Sequence, residues 1–139
     1  MTRVPCVAAL AALTVVEVAL GAGPALAHHS FAMFDPSRTI TVTGVVKAFQ
    51  YTNPHSWLIV TGAGPDGKDE EWSFESEGPS TLLRNGIKRS MFMPGDKVTV
   101  EAMPMRDGRP AGSLISATRA NGELVHFRQG PPQGVGSGS

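Results

Sequence analysis

Two histidines at a predicted cleavage site and a third before the second predicted strand carry the clearest metal-binding chemistry in this chain. The segment 25–27 (Ala-Leu-Ala) has the small-residue pattern of a signal-peptidase site, so cleavage would make His28 the first residue of the exported protein. Its α-amino group and imidazole then form a bidentate chelate, because a bound metal readily displaces a proton from an amino group with a pKa of about 8. His29 follows directly, and His55 precedes the second predicted strand.

A nitrogen-rich ligand set of this kind favours copper, which heads the Irving–Williams order, over nickel and zinc. The predicted site combines the amino and ring nitrogens of His28 with His55, and His29 is an optional further ligand. A simpler interpretation stays open, in which His28 and His29 only begin the exported chain and His55 hydrogen-bonds a carbonyl at the rim of the fold. The single cysteine, Cys6, lies in the predicted signal peptide, so neither thiolate ligands nor disulfides are expected.

Two Met-x-Met pairs form a second group of candidate ligands. Met91 with Met93, and Met103 with Met105, each place two thioethers on one face of an extended segment. Thioethers are soft ligands that suit Cu(I). Core packing is the favoured interpretation, because methionine fills irregular apolar gaps, and Met103 and Met105 remain the candidate soft ligands.

Acidic and aromatic side chains supply further candidates. Alternation along the third predicted strand places Glu71, Glu75 and Glu77 on one face, where a solvated outer surface is favoured over a general acid–base pair. Trp57 and Trp72 are candidates for a ligand-binding face, with core packing as the alternative.

Hydrophobic alternation and turn signals predict a small all-β fold that positions these residues. The predicted strands cover residues 39–51, 56–61, 70–76, 97–105 and 112–119, and a last hairpin leads into residues 123–127. Gly44 is expected to form a bulge or bend in the first strand. A short helix, with Ser80 as N-cap and Gly86 as its left-handed C-terminal residue, lies between strands three and four. This order predicts a five- to six-stranded OB-like Greek-key barrel with one short helix.

The domain organisation follows from composition. We predict a signal peptide over 1–27, an N-terminal arm over 28–37, the barrel over 38–128, and a disordered Gly/Pro/Ser-rich tail over 129–139. The apolar run of the signal peptide is too short to span a membrane. Twelve basic and 12 acidic residues balance, which argues against an electrostatic binder of nucleic acid or of a membrane surface. We therefore expect a periplasmic or secreted protein that is not inserted in the membrane after cleavage.

Four stretches resemble a family of small exported bacterial proteins of unknown function. They are HHSFA (28–32), NPHSW (53–57), LRNG (83–86) and PGDKV (94–98). The resemblance covers nearly all of residues 28–127 and implies an exported, compact β domain, with no established activity to carry over. His28 with a second histidine also looks like the histidine brace of copper proteins.

These residues predict a protein that holds or delivers a transition metal, with copper as the first candidate cofactor. The expected partner is therefore the metal ion itself or a periplasmic protein. The main alternative is a barrel that binds a non-metal ligand or a protein around Trp57 and Trp72. A copper oxidase that uses a histidine brace comes third, because no catalytic residues are identified in the sequence.

Overall fold

The computed structural model describes residues 31–128 of the chain. Its strands are β1 (Ile40–Gln50), β2 (Ser56–Ala63), β3 (Asp69–Ser76), β4 (Lys97–Pro104), β5 (Ala111–Arg119) and β6 (Leu124–His126). One α-helix, α1 (Pro79–Arg84), and one 3₁₀ turn (Arg89–Met91) lie between β3 and β4. The predicted all-β class and the position of the helix are confirmed. In the described part of the chain, no helix has the length and apolar character needed to cross a membrane.

Five of the strands close into a barrel. The sheet order is β3-β2-β1-β4-β5-β6 with antiparallel neighbours. A parallel pairing of β3 with β5, in which Glu75 lies opposite Ser113, completes the ring. The 11-residue β1 belongs to two pairs, because its first half pairs with β4 and its second half with β2. This connectivity confirms the predicted OB-like Greek-key barrel, with β6 as one extra strand beside β5.

Gly44 has a different role from the one that its position predicts. β1 runs through Gly44 without interruption, and the register irregularity lies at Lys47. Gly44 instead faces Gly62 of β2, and a Cβ atom on Gly44 would overlap the carbonyl oxygen of Thr61 and lie 2.7 Å from the Gly62 Cα. The prediction of a bulge at Gly44 is therefore wrong, because the bulge lies at Lys47 and the glycine serves the close approach of two backbones.

The start of α1 also differs from the prediction. Gly78 is the N-cap and Pro79 is the first helical residue, so Ser80 lies inside the helix. Proline suits the first helical position because its missing N–H would have no partner within the helix and its φ is already helical. The predicted serine cap is wrong because this local preference of proline places the boundary two residues earlier.

The end of α1 covers one opening of the barrel. Gly86 has a φ of +76°, as predicted, and the Ile87 N–H donates to the Leu82 carbonyl at 2.8 Å. Leu82 and Ile87 are both buried in the core of the barrel. The Tyr51 hydroxyl donates to the Ile87 carbonyl at 2.8 Å, which joins the helix end to the end of β1.

The barrel interior is one apolar cluster to which all six strands contribute. Trp72 and Phe74 stack in parallel with ring centroids 6.0 Å apart, and Phe49 meets Phe92 edge to face at 5.7 Å. Burying such apolar surface is the main stabilising contribution to a fold of this size, at about 25 cal/mol per Å².

A second, smaller apolar cluster lies outside the barrel, under the N-terminal arm. Phe34 is 3% exposed and packs with Met103, Met105 and Ile115. Phe34 also forms an isolated antiparallel bridge with Met105. The described start of the arm is therefore fastened to the barrel just beyond the end of β4.

Candidate functional site

His55 stands in a tightly bonded connection between β1 and β2. The Thr52 hydroxyl donates to the His55 carbonyl at 3.1 Å. Gly78, just after β3, lies so close to this connection that a Cβ atom there would be 2.6 Å from the Pro54 carbonyl oxygen. The backbone of His55 is therefore held both by its own turn and by the segment that follows β3.

The side chain of His55 is oriented by two acceptors on one ring nitrogen. Its Nδ1 lies 3.0 Å from Glu75 Oε1 and 3.3 Å from the Ser76 carbonyl oxygen. Because both groups accept, the ring proton belongs on Nδ1, and the lone pair of the neutral imidazole is on Nε2. Hydrogen bonds of this ring to other described residues involve Nδ1 alone. The side chain is 36% exposed, so the lone pair of Nε2 is available to bind a metal ion.

Glu75 is the buried partner in this pair, with 6% of its surface exposed. Burial raises the pKa of the Glu75 carboxyl above its ordinary value, while the charges of His55 and Arg128 lower the pKa and that of Glu77 raises it. The expectation of a solvated outer face is therefore wrong at Glu75. Here the parallel partner strand β5 places Ser113 opposite Glu75 and closes the barrel over this part of β3.

Arg128 connects Glu75 and Glu77 to the N-terminal arm. Its Nη2 lies 3.4 Å from Glu77 Oε1, and its guanidinium lies 5.1 Å from the centre of the Phe31 ring. Phe31 in turn meets the buried Phe34 edge to face at 6.3 Å. The charge of Arg128 also lowers the pKa of Glu75, the carboxyl that contacts His55. The first described residue of the arm therefore packs on a cation that interacts with both Glu77 and Glu75.

Among the three predicted metal ligands, the structure describes His55, whereas His28 and His29 lie outside the described residues. His126, on β6, is exposed. Within residues 31–128, no group of three or more His, Cys, Asp or Glu side chains is arranged to hold a metal ion. This part of the chain therefore offers one oriented nitrogen donor, and a complete site would need donors from outside it.

The remaining predicted site residues do not gather around His55. Met103 and Met105 are 6% and 5% exposed and lie in the apolar cluster under the arm. Trp72 is buried inside the barrel, whereas Trp57 is half-buried and pairs in register with Glu75 on the outer face. The two tryptophans therefore do not share a face.

Sequence reasoning missed Glu75 and Arg128 as partners of the site. A partial signal existed for Glu75, because the Gly-Pro-Asp-Gly stretch at 64–67 favours a hairpin that brings the start of β2 to the acidic end of β3. The register that pairs Trp57 with Glu75 depends on the connection 64–68, which only the structure shows. Arg128 lies at the boundary with the Gly/Pro-rich tail, where no periodic pattern predicts its neighbours.

Fold and site together define a small closed OB-like barrel with a carboxylate-bound histidine at the start of β2. The chain belongs to the DUF6152 family, a family of unknown function, whose model matches residues 15–115. Comparisons with curated proteins and with solved structures give no match. The expected membership of an uncharacterised family is confirmed, and the function has to be inferred from the chemistry of the site.

Proposed function

We propose that this chain is an exported periplasmic protein that binds a transition metal, with copper as the first candidate, and holds or delivers the ion. In this proposal His55 contributes Nε2, His28 contributes its amino and ring nitrogens, and His29 is an optional further ligand. The observation that carries the proposal is the 3.0 Å contact between His55 Nδ1 and the buried Glu75 carboxylate.

This contact has the chemistry of a metal-binding histidine. A ligating imidazole almost always donates its second N–H to a carboxylate or a carbonyl, which fixes the ring orientation and makes the ligating nitrogen more basic. A bond to the Ser76 carbonyl alone would satisfy Nδ1. The buried Glu75 carboxylate is a further acceptor, and its burial costs desolvation energy, as its raised pKa shows. A role in orienting a metal ligand explains why a carboxylate is buried here.

The position of the arm supports His28 as the second ligand. Phe31 lies against Arg128. Arg128 hydrogen-bonds Glu77, and its charge lowers the pKa of Glu75. His28 precedes Phe31 by three residues, a length that spans about 10 Å when extended. In this proposal, residues 28–30 run from Phe31 towards His55 and carry the second nitrogen ligand to it.

The exposure of His55 supports holding or delivery as the role. A donor on a side chain that is 36% exposed leaves the bound ion accessible to an incoming partner ligand. A set of amino and imidazole nitrogens favours copper over nickel and zinc, so competition between the three metals is expected to follow that order.

The test uses protein that begins at His28, titrated with Cu(II) at neutral pH and followed by electron paramagnetic resonance. Two variants remove the proposed ligands separately. One has three alanines added before His28, which takes the amino group away from His28 without making a histidine the third residue of the chain, and the other is His55→Gln. His126→Gln is the matched control, since His126 is an exposed histidine on β6.

We expect both ligand variants to bind Cu(II) at least about tenfold more weakly and to lose nitrogen hyperfine structure, while His126→Gln behaves as the parent. Equal affinity in all four proteins, or no binding in the parent, would overturn the proposal.

A further inference from the structure

A second concave surface, which we call the α1 groove, opens between α1, the 3₁₀ turn and the end of β1. Its volume is about 640 Å³, within the range of about 300–1,000 Å³ that is usual for small-molecule sites. The rings of Phe49 and Phe92 form its floor, and Leu83 and Met93 stand beside them with 55% and 51% of their surfaces exposed. The groove shares no lining residue with the His55 site.

The edge of the α1 groove is positively charged. Lys88 and Arg89 line it and are both exposed. Neither residue takes part in an ion pair with the described residues. No acidic residue of that part of the chain lines the groove. An apolar trough with cations at its edge is complementary to a molecule that has an apolar body and an anionic head.

We propose that the α1 groove binds a free single-chain anionic amphiphile of the fatty-acid type. The acyl chain lies between Leu83 and Met93 over Phe92, and the carboxylate lies at Lys88 and Arg89. Filling the groove removes the two exposed apolar side chains, Leu83 and Met93, from water. The thioether of Met93 suits such a site, because methionine adapts its shape to flexible apolar ligands.

The shape of the surface favours a free amphiphile over a membrane surface. Leu83 and Met93 line a concavity, so a single chain that enters it can contact both, whereas a flat bilayer would contact only its edges. Two cations also give little attraction to an anionic bilayer, about 1 kcal/mol for each Lys or Arg near the surface. The cations therefore fit one head group better than a lipid layer.

The experiment measures binding of dodecanoate, below its micellar concentration, to protein that begins at His28. Displacement of 1-anilinonaphthalene-8-sulfonate gives the affinity, and dodecyl maltoside is the uncharged comparison. Leu83→Asp tests the apolar contact, and its matched control is Leu124→Asp, since Leu124 is 51% exposed on β6. The double variant Lys88→Glu/Arg89→Glu tests the charge, with Lys68→Glu as its control.

We expect Leu83→Asp and the double charge reversal each to weaken dodecanoate binding about tenfold, since each replaces attraction by repulsion or desolvation at an exposed contact. The two controls should stay within about twofold of the parent.

Three outcomes would overturn the proposal. They are no dodecanoate binding, equal binding of dodecyl maltoside, and equal affinity of groove and control variants. If the first of these outcomes is accompanied by binding to phosphatidylglycerol vesicles, the groove binds a membrane surface instead. Because the metal site shares no residue with the α1 groove, each proposal is tested separately.

Discussion

Replacing Glu75 by Gln separates the positioning of His55 from the stability of the barrel, because we expect the two properties to change in opposite directions. Glutamine keeps the shape of the side chain and an oxygen that accepts from His55 Nδ1. It removes the negative charge that lies 3.0 Å from that nitrogen. A neutral hydrogen bond is about half as strong as a charge-assisted one, so His55 Nε2 becomes less basic and a weaker ligand.

The size of the effect follows from what remains around His55. Removing the outer partner of a ligating histidine lowers metal affinity by about 10–100-fold, which is about 1.4–2.7 kcal/mol. Glu75→Gln should lie near the tenfold end, because the amide oxygen remains and the Ser76 carbonyl is still 3.3 Å from Nδ1. Glu75→Leu removes the acceptor altogether and should lie near 100-fold. Both values come from titrating Cu(II) against a chelator of known affinity.

The stability of the Glu75→Gln variant should change in the other direction. Burial raises the pKa of Glu75 above its ordinary value of 4.5, so the folded state binds more protons than the unfolded state above that pH. The stabilisation from protonated Glu75 is therefore lost as the pH rises through the folded-state pKa. Glutamine does not titrate, so this loss is absent, and at pH 7 its free energy of unfolding should equal or exceed that of the parent. Urea unfolding across pH 4–8 measures both.

The control for Glu75 is Glu71→Gln on the same face of β3. Glu71 is exposed and paired with Lys47, so its replacement should leave both copper affinity and the pH dependence unchanged. Parent-like copper affinity in Glu75→Gln would refute the positioning role of the carboxylate. A large loss of stability at neutral pH would show instead that Glu75 serves the fold as a structural ion pair.

Two further substitutions, the first with a control, test the parts that support the site. Gly44→Ala places a Cβ onto the carbonyl oxygen of Thr61, and we expect about 3 kcal/mol of destabilisation by thermal unfolding. Gly67→Ala, which has a φ of +76° but open space, should lose only about 1 kcal/mol, and equal losses would contradict the steric explanation. Arg128→Gln removes the cation beside Phe31 and should weaken copper binding about threefold to tenfold with little change in melting temperature. A lower melting temperature with parent-like affinity would contradict this role.

Much of the fold could be predicted because its signals are local. Alternation in β1 and in β4 predicts which residues face the core, and the left-handed Gly86 followed by Ile87 predicts the end of α1. Errors occurred where a residue's role is set by a neighbouring strand. Gly44 is an example, because its role depends on the backbone of Gly62. The N-cap was misplaced for a local reason, because Pro79 outweighs Ser80.

The site was predictable to a smaller extent. The break at Pro54 and the pattern of β2 placed His55 at a strand start, and the structure confirms that position. Sequence alone could not show that Glu75 is buried, since alternation gives the same outer face to Glu71, which is exposed. The difference arises because β5 pairs with only the later part of β3.

Local sequence patterns were enough to predict the strands, the turns, the short helix and the histidine at the start of β2, because periodicity and turn chemistry act over a few residues. Tertiary structure alone decided that Glu75 and the Ser76 carbonyl hold the His55 ring and that Arg128 lies between Phe31 and Glu77. These contacts join segments that are far apart in the chain. They exist only because the barrel closes through the parallel β3–β5 pair and the arm folds back along its outside.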